Sequence, residues 1–185
     1  MRDTFRSLRS IEDLLRHFKV TVAQVDFLLI GDGSGTTWDK SIGFASTLVE
    51  MSSFDRTVFH GGLSHGTNNI AEIMAYFLPL QYLAKTAGDR RRTVIHIFSD
   101  SQYIVEGFNG ESRQEQGNRE LWQAMLAVKR RGLVIRAHWV PRDSVALQQL
   151  ADTLAGQMRL SHGPTGAAAC VLEYVNVYEL NPFME

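Results

Sequence analysis

Four consecutive apolar residues, Phe27 to Ile30, run straight into Gly31-Asp32-Gly33-Ser34, and no other stretch limits the possible folds so tightly. An uninterrupted apolar run of strand length is the mark of a buried central strand. An ionised Asp32 at the mouth of such a strand must give up hydration, so it persists by pairing with a cation or by collecting hydrogen-bond donors. The plainer alternative is a turn cap, the carboxylate bonding its own backbone among Gly33 and Gly35. Thr93 to Asp100 repeats the pattern, a β-branched apolar run that ends in an acid. A second buried strand thus delivers a second carboxylate to a sheet edge.

With 185 residues the chain is long enough for one domain with a proper core. No apolar run approaches a membrane span and no N-terminal segment resembles a secretory signal, so a cytoplasmic location is the expectation. A single cysteine, Cys170, leaves no internal disulfide framework and no multi-cysteine zinc site. The net charge of −1 lacks the basic surplus usual in polyanion binders, so any nucleic-acid affinity must come from local clusters. Arg90-Arg91-Arg92 and Lys129-Arg130-Arg131 are two such clusters, each equally readable as a solvated helix end or loop.

Taken in order, Arg2, Arg6 and Arg9 precede a capped helix start at Ser10. Ile11, Leu14, Leu15 and Phe18 then form one apolar face, predicting a helix packed on the domain, with a docking arm as the alternative. Val25–Ile30, Ile42–Glu50 and Thr57–His60, the last closed by Gly61-Gly62, read as an antiparallel meander. Residues 68–87 predict a long helix with Ile70, Ile73, Met74, Phe77, Leu80 and Leu83 inward and Thr67 or Asn68 as cap. Pro79 predicts a kink or break within it. Helices are expected near Ser101–Gly107, Asn118–Arg131 and Ala146–Leu160, and a strand at Leu133–Val140. Ser161–Gly166 is a breaker cluster, and the alternation over Val171–Tyr178 suggests an added strand. The expected division is a helical extension at 1–22, a main domain at 23–162 and a C-terminal extension at 163–185.

The acids fall on different elements: Asp32 and Asp100 at strand ends, Glu72 and Asp152 on helices. Strands joined by a helical crossover run parallel, so both aspartates face the same side of the sheet. Such a cluster repels itself without cations. Hard oxygen ligands lacking His or Cys partners suit Mg²⁺ or Mn²⁺, and two such ions can activate water and stabilise a leaving oxygen in phosphodiester cleavage.

Five blocks, Asp32-Gly-Ser, Thr67-Asn-Asn-Ile-Ala-Glu72-Ile-Met-Ala, Phe98-Ser-Asp100-Ser-Gln-Tyr, Leu121-Trp and Ala151-Asp152-Thr-Leu-Ala, closely resemble the signature blocks of the ribonuclease HI family. The resemblance covers roughly residues 25–159. It implies an α/β fold of RNase H-like type: a mixed five-stranded sheet, three antiparallel strands plus two parallel, flanked by helices. It also implies an endoribonuclease that cuts the RNA strand of RNA–DNA hybrids with two Mg²⁺ ions, leaving 3′-hydroxyl and 5′-phosphate ends. On that reading Asp32 bridges both metals, Glu72 and Asp100 complete one and Asp152 the other. Asn68, Asn69 and Gln102 would follow the minor groove, where hydroxyl contact tells RNA from DNA. Gly33 and Ser34 would adjoin the substrate, Thr67 would hold a DNA phosphate and Ser101 would lie beside the cut strand.

Two departures from the family pattern carry expectations of their own. The loop Pro141–Leu150 has no histidine where the family often places one before its fourth carboxylate. It resembles the Trp-Val-Pro-Arg version, with Arg142 either meeting a phosphate or standing as a plain surface residue. His138, on a strand, reads as structural. The basic tryptophan-containing handle is also missing, since Asn109–Gln116 is short and carries Glu111 and Glu115 against Arg113; a shallow salt slope follows. The chain is expected to act as a monomer, away from membranes, with the terminal extensions available to a protein partner. Two other readings remain: a related nuclease with another nucleic-acid substrate, and a non-catalytic nucleic-acid-binding module.

Overall fold

The computed structural model describes residues 10–38, 40–86, 92–110, 118–142, 144–161 and 175–176. Arg2, Arg6, Arg9, Arg90, Arg91, Cys170, the acidic connection at 111–116 and most of the C-terminal alternation lie outside them.

The sheet order is β5-β4-β1-β2-β3-β6. The strands are β1 (Phe27–Gly35), β2 (Ile42–Glu50), β3 (Arg56–Leu63), β4 (Thr93–Ser99), β5 (Leu133–Trp139) and the two-residue β6 (Val175–Asn176). β1–β2 and β2–β3 are antiparallel, whereas β1–β4 and β4–β5 are parallel. This is the expected mixed sheet of three antiparallel and two parallel strands. It gains the short β6, which pairs antiparallel with β3 through Thr57–Asn176 and Val58–Val175.

The helices are α1 (Ile11–His17), α2 (Asn68–Thr86), α3 (Gln102–Asn109), α4 (Arg119–Lys129) and α5 (Ala146–Ser161). One face of the sheet is covered by α2, α3 and α4, through Ile73, Tyr76, Leu80, Phe108, Trp122 and Met125. The other carries α1, whose Leu14 and Leu15 are fully buried with Leu28, Ile30, Phe98 and Val140. Ser10 starts α1 by accepting a hydrogen bond from the Asp13 N–H.

Four local expectations need correction. β1 does not stop at Ile30: its ladder with β2 continues to Gly35, so Asp32 lies inside the strand, opposite Ala45. Its parallel pairing with β4 does stop, at Ile30–Phe98, and Asp32 stands just past that divergence. β3 likewise continues through Gly61 and Gly62 to Leu63. Pro79 neither ends nor breaks α2. It is buried, and packing of that face outweighs the lost backbone bond. The buried stripe of α2 is also turned: Tyr76 and Pro79 face inward, while Met74 and Phe77 are only half-buried.

Glycine explains how β1 and α2 approach so closely. A Cβ on Gly33 would fall on the backbone nitrogen of Glu72 and within 2.6 Å of the Ala71 carbonyl carbon. One on Gly35 would stand 2.9 Å from the Asn68 nitrogen. Only a residue without a side chain admits such backbone contact.

Candidate active site

The site begins where β1 and β4 part. The Tyr76 hydroxyl, fully buried on α2, fills the gap by donating to Gly31 O at 2.6 Å and accepting from Gly31 N–H at 3.2 Å. Past it, Asp32 points from β1 and Asp100 from the end of β4. The Asp32 Oδ1 accepts the Gly33 N–H at 2.8 Å, so the local turn-type bond foreseen for this residue exists beside its place in the acid cluster.

Asp100 is gripped from several sides. Gln148 Nε2 donates to its Oδ1 at 3.1 Å, Arg142 Nε reaches its Oδ2 at 3.2 Å, and Trp139 Nε1 donates to its backbone oxygen at 3.0 Å. Asp152, exposed on α5, lies 3.5 Å from Arg142 Nη2, which is also 3.8 Å from Asp32 Oδ2. One guanidinium therefore stands among three carboxylates from three elements. Arg142 thus pairs with the carboxylates while most of its side chain stays exposed.

Glu72 comes from the first turns of α2 and is buried. Its Oε1 accepts a long bond, 3.5 Å, from Asn68 Nδ2, and its Oε2 has no hydrogen-bond donor. Thr67 caps α2, accepting the Ile70 N–H at 3.3 Å, with Asn69 exposed beside it. Ser34 accepts from Arg159 Nε at 3.2 Å, Ser101 immediately precedes α3, and Gln102 is exposed in its first turn.

Electrostatics follow from burial and crowding. Burial, then the charges and hydrogen bonding of Asp100 and Asp152, push Asp32 up to about 7, with Arg142 pulling the other way. Burial, then Asp32 and Asp100, push Glu72 to about 9 against the opposing pull of Arg142 and Asn68. At neutral pH Glu72 keeps its proton and Asp32 keeps part of its own, and added positive charge favours the ionised form of both. Asp32 Oδ2 and Glu72 Oε2, both buried without a hydrogen-bond donor, are hard oxygen acceptors of the kind Mg²⁺ or Mn²⁺ takes. The donor set thus fits a divalent ion in kind. Among the described residues no three acidic, imidazole or thiol groups already surround a common point, and the Arg142 guanidinium lies among the carboxylates instead. Its side chain is 62% exposed, leaving it solvent into which to swing.

His138 packs among aromatic rings instead. It stacks on Phe98 and His96, contacts Phe18, and its Nε2 is 2.8 Å from His96 Nδ1. Burial, His96 and Arg136 lower its pKa to about 4, so it packs as a neutral ring, as read for a strand histidine.

Gln148 and Tyr76 escaped the reading of the sequence. The signal for Gln148 is its position on α5 one turn before Asp152, on the side of the helix that Ala151 and Ala155 bury.

An RNase H family profile matches residues 26–159, a span that includes all four acids and Arg142. A ribonuclease H of Alkalilimnicola ehrlichii is 32% identical over 116 residues, covering 56% of this chain and 74% of that protein. One from Lachnoclostridium phytofermentans is 31% identical over 84 residues, 38% of this chain and 49% of that one. Among solved structures, LC11-RNase H1 in complex with an RNA/DNA hybrid superposes with a TM-score of 0.63 at 18% identity, covering 72% of this chain and 96% of that chain. The N-terminal RNase H domain of a Mycobacterium tuberculosis protein gives 0.60 at 20% identity, covering 75% and 96%. At such identities these superpositions speak for the fold, and the profile match over most of the chain speaks for descent: this protein belongs to the ribonuclease H family.

Proposed function

We propose that the protein is a metal-dependent endoribonuclease that cleaves the RNA strand of RNA–DNA hybrids, leaving 3′-hydroxyl and 5′-phosphate ends. The observation that carries this reading is the meeting of Asp32, Asp100 and Asp152 around one guanidinium, with Glu72 close enough to Asp32 and Asp100 to be raised by both. Asp32, Glu72, Asp100 and Asp152 would hold two Mg²⁺ ions, Mn²⁺ being the alternative. When bound, such ions supply activation of water and charge stabilisation at the leaving oxygen.

The chain's own residues do the rest. Asp32 and Glu72 yield their protons on ionising beside a cation, which sets the charge of the site. Arg142 exchanges carboxylate contact for a phosphate oxygen, for which its fork is suited. Asn68, Asn69 and Gln102, on the exposed starts of α2 and α3, present amides to the 2′-hydroxyls of the RNA strand. Gly33 and Ser34 border the groove, Thr67 meets a DNA phosphate and Ser101 stands beside the cut strand. The chain works as a monomer in the cytoplasm, residues 23–162 forming the catalytic unit.

Cleavage of an end-labelled hybrid with Mg²⁺, beside Asp32→Asn and a metal-free control, tests this. The expected outcome is nicking of RNA alone, dependent on both. Duplex DNA cut in preference to hybrid, or no cleavage with either metal by folded protein, would refute it.

A further inference from the structure

Gln148 is almost fully buried, yet it is a polar side chain in the wall of the carboxylate cluster. Its Nε2 donates to Asp100 Oδ1 at 3.1 Å and to Gly31 O at 3.3 Å. Both partners are acceptors, which fixes the amide's orientation: the reverse would set a carbonyl against a carboxylate. Its Oε1 is buried with no hydrogen-bond partner. A helix that needed only packing here would carry an apolar side chain and avoid that orphan.

We propose that Gln148 is a positioning residue that orients Asp100 for a divalent cation, an inference that rests on the reading of the acids as metal ligands. The two oxygens of Asp100 are held in unlike ways. Oδ1 takes a neutral donor that is buried and tied to the backbone beside Asp32, whereas Oδ2 faces the exposed Arg142. The second contact can be traded for an ion; the first cannot be traded for water. Because Gln148 lies on α5 one turn before Asp152, its amide also ties together the three elements that carry Asp32, Asp100 and Asp152. Such outer contacts set ligand orientation and thereby metal affinity.

The test is calorimetric titration of the full chain with MgCl₂, comparing wild type with Gln148→Met, which keeps length and removes the donor. Mg²⁺ affinity should fall about 10- to 100-fold. In the hybrid assay the Mg²⁺ midpoint should rise by the same factor, with kcat restored at saturating metal and KM for hybrid unchanged, a pattern that general loosening of the fold does not produce. Should Gln148→Met fail to fold, Gln148→Asn, one methylene too short to span both acceptors, carries the comparison with the same expected loss. Wild-type affinity in the folded variant, or a wild-type chain that binds no Mg²⁺, overturns the proposal. Uncut hybrid together with a Gln148-dependent Mg²⁺ affinity would defeat the ribonuclease reading and leave this one standing.

Discussion

Asp32 and Glu72 should make metal binding a proton-releasing reaction, and the number of protons can be worked out. With Asp32 at about 7 and Glu72 at about 9, the metal-free site at pH 6 keeps nearly both protons. At pH 8 it keeps roughly the Glu72 proton alone. A cation that requires both carboxylates ionised therefore displaces about two protons at pH 6 and about one at pH 8. Integrated over that interval, apparent affinity should rise by about a thousandfold, on the order of 4 kcal/mol. Titrating Mg²⁺ at each pH in two buffers of different ionisation enthalpy counts the protons directly, and Asp32→Asn should remove about one at pH 6. The sign for stability is opposite. Carboxyls whose folded values are raised stabilise the metal-free fold fully below their unfolded values near 4, and that stability is lost as pH rises through about 7 and then about 9. Identical apparent enthalpies in both buffers at pH 6 would refute the reasoning, since no proton would have left with the metal's arrival.

Two further outcomes test separate parts of the molecule. Arg142→Ala removes the cation shared by three carboxylates, so turnover on hybrid should fall roughly 10- to 100-fold while Mg²⁺ binding to the free protein tightens; an unchanged turnover rate removes Arg142 from the mechanism. Leu15→Ala, emptying a fully buried position on α1, should cost about 2–5 kcal/mol in urea unfolding. A change within about 0.5 kcal/mol would mean α1 contributes nothing to the core.

The two aspartates could be read from the sequence because burial and charge conflict visibly there: an apolar run that ends in an acid needs an explanation before any fold is known. Glu72 and Asp152 carry no such signal, being acids on helices, and it is the resemblance that separates them from solvated helix acids. Glycine ordinarily marks a turn, so Gly31-Asp32-Gly33 reads as the end of β1. Here Gly33 and Gly35 serve contact with α2 while the β2 ladder runs on. Pro79 misled in the same way, a local penalty overruled by the packing of Leu80 and Leu83. Tyr76 and Gln148 act through hydrogen bonds to residues 45 and 117 positions away, at Gly31 O, and no local pattern reports such partners.

The backbone contact between β1 and α2 also limits how such an enzyme can be altered. Core redesign works by exchanging side-chain volumes and letting elements slide, but between Gly33 and Glu72 there is no side chain to exchange. The spacing of the strand that carries Asp32 from the helix that carries Glu72 is a main-chain dimension. Sequence libraries that repack the interior would raise or lower melting temperature while leaving that carboxylate spacing where it stands, and selection for a different metal radius would have to act on side-chain length at Asp32 and Glu72 themselves.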